Sequence, residues 1–145
     1  TAKVPHPYEF WHDEPGFNFR MPNLNAALGC AQFEVLPKIL ESKRTLAKQY
    51  EELFNNTGFE FVLEPSYAHS NYWLNAVICP DTESRQLFLR ETNTQGVMTR
   101  PIWKLMYRLP MFEKAMRGNM EVSEYMEAHL INMPSSPINM GNSYA

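Results

Sequence analysis

The sequence predicts an α+β domain, and three observations carry that expectation. Between Asn23 and Phe54 apolar residues recur at helical spacing, and beyond Gly58 they gather into short β-prone runs separated by turn residues. The third is length: 145 residues can bury one core without help from metals or disulfides.

Residues 1–22 hold four prolines, Pro5, Pro7, Pro15 and Pro22, among the aromatics Tyr8, Phe10, Trp11, Phe17 and Phe19. The prolines exclude regular helix, and so many aromatic rings need something to pack against. The chain opens TAKVPHPYEF without an initiator Met, so it is expected to be a piece of a longer protein, with residues 1–22 as an irregular joining segment and residues 23–145 as the domain proper.

Asn23 suits a helix cap, and Leu24, Ala27, Leu28, Ala31 and Val35 follow at helical spacing. Pro37 suits the first position of a second helix, along which Ile39, Leu40, Lys43, Leu46, Ala47, Tyr50, Leu53 and Phe54 continue the stripe until Asn55–Gly58. The expectation is two helices in series, the second long. Residues 59–63 and 71–79 read as strands, Pro80-Asp81-Thr82 opens a helix that Gly96 closes, and residues 97–102 read as a third strand. Residues 103–119 predict loop with a short helix, 122–130 a helix and 131–133 a short strand before Pro134. The tail MGNSYA has no apolar periodicity.

Several function classes recede at once. Thirteen basic residues against sixteen acidic, a net charge of −3 and no basic stripe argue against a nucleic-acid surface. The longest apolar stretches, such as WLNAVIC, are too short to span a bilayer and no signal-peptide pattern appears, so a soluble cytoplasmic protein with no membrane partner is expected. Cys30 and Cys79 lack CxxC spacing and read as small buried hydrophobes, and the Asn55 sequon reads as chance. His6, His12, His69 and His129 lack metal-site spacing, and neither a Gly-rich phosphate loop nor a GxSxG elbow is present. From the residues alone, no complete catalytic constellation can be assembled.

Three features could still carry chemistry. In Gly16-Phe17-Asn18-Phe19-Arg20 the polar side chains alternate with aromatics, and an amide with a guanidinium fork suits an anion such as phosphate or carboxylate. The residues alone favour a plainer role, with Arg20 paired to Asp13 or Glu14 and Asn18 capping a turn. Ala26, Ala27, Gly29, Cys30 and Ala31 make a small-residue surface for close packing, inside the domain or against a second domain or subunit. Met98-Thr99-Arg100-Pro101-Ile102-Trp103 places an Arg beside a Pro and a Trp at a strand end, either the rim of a polar-ligand site or a surface Arg stacked on Trp103.

Taken together, Gly16-Phe17-Asn18-Phe19-Arg20-Met21, Asn23 and Ala26-Ala27-Leu28-Gly29-Cys30-Ala31-Gln32-Phe33-Glu34 resemble a signature of the vitamin-B6-dependent nucleotide-sugar aminotransferases of the DegT/StrS type. The likeness continues through Ser70-Asn71-Tyr72-Trp73-Leu74-Asn75, the stretch 96–103 and Asn132-Met133-Pro134-Ser135-Ser136-Pro137, covering nearly the whole chain. The SNYWLN and RPIW variants look most like the perosamine- and bacillosamine-type subgroup that aminates UDP- or GDP-linked keto-sugars for bacterial surface glycans.

The resemblance implies the small C-terminal domain of a fold-type I aminotransferase, its two helices packed on a small, mainly antiparallel sheet with further short helices. It implies pyridoxal 5'-phosphate in the full enzyme, glutamate as amino donor, a nucleotide-linked keto-sugar as acceptor, and a homodimer formed through residues 12–22 and the helix over 23–35. Asn18 and Arg20 would reach the cofactor phosphate of the partner subunit, and His12, Arg100 and Trp103 would border the substrate. The family's cofactor lysine lies upstream of this motif, and no lysine here takes its place, so the chain alone is expected to hold no cofactor and to be inactive. The alternative implied by the same fold is a non-catalytic module retained for binding or dimerisation.

Overall fold

A computed structural model describes residues 20–138. Its elements in chain order are α1 (Asn23–Phe54), β1 (Glu60–Phe61), β2 (Asn75–Ile78), α2 (Thr82–Thr94), β3 (Arg100–Pro101), two 3-10 turns (Met106–Arg108 and Pro110–Phe112), α3 (Glu121–His129) and β4 (Leu130–Met133). The α+β class stands. Among the described residues no helix is long and apolar enough to cross a membrane, and no group of three or more His, Cys, Asp or Glu could hold a metal ion.

The chain divides into two compact units, one ending at Leu36 and the other beginning at Pro37. In the described part of the first, Asn23 is already helical, and Ala26 N–H donates to the Pro22 carbonyl at 3.0 Å. Met21, Leu24, Leu28 and Phe33 are all exposed. Cys30 is exposed too, which corrects its expected burial.

The two expected helices run as one, with Pro37 inside α1. A proline at an inner position removes one donor and crowds the carbonyl four residues back, at about 3 kcal/mol. Helix formers on both sides, among them Glu34, Lys38 and Leu40, carry the helix past it, although the two units still divide at that residue.

In the second unit four strands form a sheet in the order β1-β2-β4-β3 with every pairing antiparallel. The central pair sets Val77 opposite Ile131 and Asn75 opposite Met133, and Pro101 of β3 faces Ile131 on the other side. Val77, Cys79 and Ile131 are fully buried and pack with Ala47, Phe54, Phe61, Tyr72 and Met133. Phe59, Phe88 and Leu89 close the cluster.

The first three strands are shorter than the apolar runs suggested, and for β2 and β3 the shortening has a local cause. Tyr72 adopts a φ of 45° and Trp73 N–H donates to Asn71 Oδ1 at 2.9 Å, so residues 71–74 turn before β2 begins. β3 is an edge strand, and Pro101 offers it no N–H. Residues 103–119, expected to include a short helix, form the two 3-10 turns.

Side chains of α1 fasten the segments around the sheet. Lys43 Nζ donates to the carbonyls of Ser135 at 2.6 Å and of Tyr72 and Trp73 at 3.3 Å each, and desolvation lowers its pKa from the ordinary lysine value. Tyr50 hydroxyl donates to the Pro134 carbonyl at 3.0 Å, and Ser42 Oγ both donates to and accepts from the Ile138 backbone. Arg44 holds Glu64 through two hydrogen bonds of 3.0 and 2.5 Å and donates to the Ser70 carbonyl, while Ser70 N–H donates back to Glu64.

Candidate functional site

β3 and its flanking loops border a cavity of about 670 Å³. α2 supplies Arg85 and Leu89, α3 supplies Glu127, and the sheet and its margins supply Leu74 and Met133. Arg100, Trp103 and Lys104 complete its wall, so Arg100 and Trp103 line the same cavity.

Each of these side chains is placed by identifiable partners. Asp81 accepts from Ser84 N–H at 2.7 Å and starts α2, and Gly96 at a φ of 80° lets the chain turn back after it. Thr99, fully buried, joins Thr92 hydroxyl to hydroxyl at 2.6 Å and accepts from Asn93 Nδ2 at 3.0 Å, which aligns the start of β3 with α2. Arg100 donates to Asn93 Oδ1 at 2.9 Å, so its guanidinium is anchored to α2 rather than stacked on Trp103. Trp103 is exposed and stacks instead on Trp73, ring centroids 6.5 Å apart.

Glu127 is the acid of this wall and is 7 % exposed. It accepts from Leu105 N–H at 3.1 Å, pairs with Arg108 Nε at 3.0 Å, and has Lys104 Nζ at 3.8 Å. Donors of this kind replace the water that a carboxylate gives up on burial. Its neighbour Glu124 bonds the Tyr107 hydroxyl and lies 3.8 Å from Arg108.

With Glu127 compensated, Arg85, Arg100 and Lys104 give the rim a positive bias over walls of Leu74, Leu89, Met133 and Trp103. Such a surface suits an anionic ligand with a flat or apolar portion. Asn75, at the start of β2 and outside this lining, is a buried amide whose Oδ1 has no hydrogen-bond partner among the described residues and whose Nδ2 donates to Ser135 Oγ at 3.3 Å.

The other anticipated residues fall elsewhere. Arg20 is exposed, just ahead of α1, whose first turn has no acidic residue; Asn18 and His12 lie outside the described residues. Sequence reading missed Arg85 and Glu127 as wall residues. Glu124 and Glu127 were legible only as the polar side of a short helix, although their three-residue spacing opposite a loop bearing Lys104 and Arg108 was a usable signal.

Comparison with known proteins gives a consistent result. Residues 3–142 match the DegT/DnrJ/EryC1/StrS aminotransferase family. The chain is 31% identical over 132 residues to the GDP-perosamine synthase of Vibrio cholerae, covering 88% of this chain and 36% of that protein. It is 27% identical over 129 residues to the GDP-perosamine synthase of Escherichia coli O157:H7, covering 89% and 35%. The chain thus spans about a third of the length of the curated relatives it matches. The aminotransferase TlmJ from Streptoalloteichus hindustanus shares the fold with a TM-score of 0.76 at 18% identity, over 98% of this chain and 38% of that one.

Proposed function

The chain belongs to the DegT/DnrJ/EryC1/StrS aminotransferase family, and from that membership we propose that it is the C-terminal small domain of an enzyme that moves an amino group, from glutamate, onto a keto group of a nucleotide-linked hexose in bacterial surface-glycan synthesis. The observation that carries this reading is the family match over nearly the whole chain, with GDP-perosamine synthases among its relatives.

Pyridoxal 5'-phosphate supplies an electron sink for amino-group transfer when bound. This chain's part is to hold and orient. Arg20 has the chemistry a phosphate needs: an exposed, donor-only guanidinium three positions before a helix N-terminus without an acid in its first turn. With Asn18 it would grip the phosphate in the partner subunit of a cytoplasmic homodimer joined through residues 12–22 and the helix over 23–35. The exposed Leu24, Leu28 and Phe33 give that helix apolar surface to bury.

His12, Arg100 and Trp103 would border the nucleotide-sugar. The cavity beside β3 supports the last two: a cationic rim suits the diphosphate and the Trp103 ring suits a base or sugar face. Since the cofactor lysine is assigned upstream, the chain by itself is inactive in this reading.

The test joins the chain to its native upstream region and assays the visible absorbance of bound cofactor and glutamate-dependent amination of nucleotide-linked keto-hexoses. Both are expected from the joined protein and neither from residues 1–145 alone. A joined protein silent in both overturns the aminotransferase reading and favours the binding module.

A further inference from the structure

Residues 104–108 follow Trp103 across an irregular stretch whose only regular structure is a single 3-10 turn. Among the described residues, the hydrogen bonds and ion pairs that tie these residues to another element go to α3, and most converge on one carboxylate. Glu127 Oε1 takes Leu105 N–H at 3.1 Å and faces Lys104 Nζ at 3.8 Å, and Oε2 takes Arg108 Nε at 3.0 Å. Trp103 itself is 67% exposed and has a ring contact only with Trp73 among the described residues. Beyond that stacking and the β3 pairing two residues before it, its position depends on what fixes the backbone that follows.

We propose that Glu127 is a positioning residue for substrate binding: its buried carboxylate locks the 104–108 loop to α3 and so holds Trp103 and Lys104 in the wall of the cavity beside β3. The proposal rests on the aminotransferase reading and adds to it the residue that shapes the acceptor pocket. Glu127 sits at 7 % exposure, so water cannot readily take over the donors it satisfies. Burial also sets it apart from Glu124, whose side chain is 49% exposed and whose bond to Tyr107 competes with solvent. The two acids flank the same loop, and Glu127 alone accepts from its backbone.

Glu127→Gln keeps the shape of the side chain while removing the charge that pairs with Arg108 and Lys104. In the joined enzyme it is expected to speed hydrogen exchange at residues 103–108 by about 10-fold or more, because a charged hydrogen bond no longer closes the loop. The KM for the nucleotide-linked keto-sugar should rise by about 10-fold, with kcat, the KM for glutamate and cofactor absorbance within about 2-fold of the parent. A role confined to stability would lower the melting temperature and leave that KM in place.

If Glu127→Gln fails to fold, Arg108→Met removes one leg of the lock and keeps the Leu105 bond, and a smaller rise in the same KM is expected. Unchanged exchange at residues 103–108 overturns the lock. Faster exchange with an unchanged keto-sugar KM overturns the positioning role. A parent enzyme that aminates no keto-sugar overturns the functional reading instead and with it the substrate role, while the exchange measurement still decides whether Glu127 locks the loop.

Discussion

Ile131 is the point at which the sheet is most easily broken. It is fully buried in β4, faces Val77 of β2 and Pro101 of β3, and so joins the hydrophobic cluster to the strand that carries Arg100. Ile131→Ala deletes three carbons, a transfer loss of about 2.4 kcal/mol at about 0.8 kcal/mol each. Neighbours on both flanks belong to paired strands and cannot fully collapse inward, so the residual cavity raises the cost to about 3–4 kcal/mol. Ile131→Val removes one carbon and should cost about 1 kcal/mol. Urea unfolding followed by circular dichroism reads these directly: at a slope of about 1.5 kcal/mol/M the alanine variant should lose roughly 2 M from its midpoint. Met116, 99% exposed, supplies the contrast. Met116→Ala should stay within about 0.5 kcal/mol of the parent. An Ile131→Ala midpoint close to that of Met116→Ala would refute the placement of the core.

Two further outcomes follow from the scaffold. The Arg44 hydrogen bond, helped by Ser70 N–H, lowers the Glu64 pKa from 4.5 to about 2. A folded-state value below the unfolded one means the contribution is fully present above about pH 4.5 and lost as the pH falls toward 2. Stability measured across that window should therefore decline less steeply in Glu64→Gln, and an unchanged slope would remove the Arg44–Glu64 pair as its source. At Gly96, where φ is 80° and a Cβ would meet open space among the described residues, substitution by Ala should cost about 1–2 kcal/mol from backbone strain alone. A neutral Gly96→Ala would contradict the left-handed turn after α2.

The elements read well where periodicity was strong and poorly where local bonds compete with it. The stripe from Leu24 to Phe54 marked α1, and Asp81 and Gly96 marked both ends of α2. What periodicity could not show is that helix formers would carry α1 through Pro37, or that an Asx turn at Asn71 would consume half of an apolar run. At the site, Arg100 and Trp103 stood out as an Arg beside a Pro and a Trp at a strand end, and both line one cavity. Glu127 did not stand out, since its burial depends on a loop some twenty residues earlier folding over α3. The rule that surface acids belong to solvated faces concealed it.

The central proposal is that residues 12–22 complete the cofactor site of a second subunit, and subunit mixing tests it most directly. One joined enzyme would carry Asn18→Ala, and a second would keep Asn18 and lack the cofactor lysine of its upstream domain. Each alone should bind cofactor weakly or turn over poorly. Unfolded together and reassembled in equal amounts, they should form mixed dimers with one intact site, restoring on the order of a quarter of parental amination. A mixture no more active than the two variants measured separately would contradict a shared site.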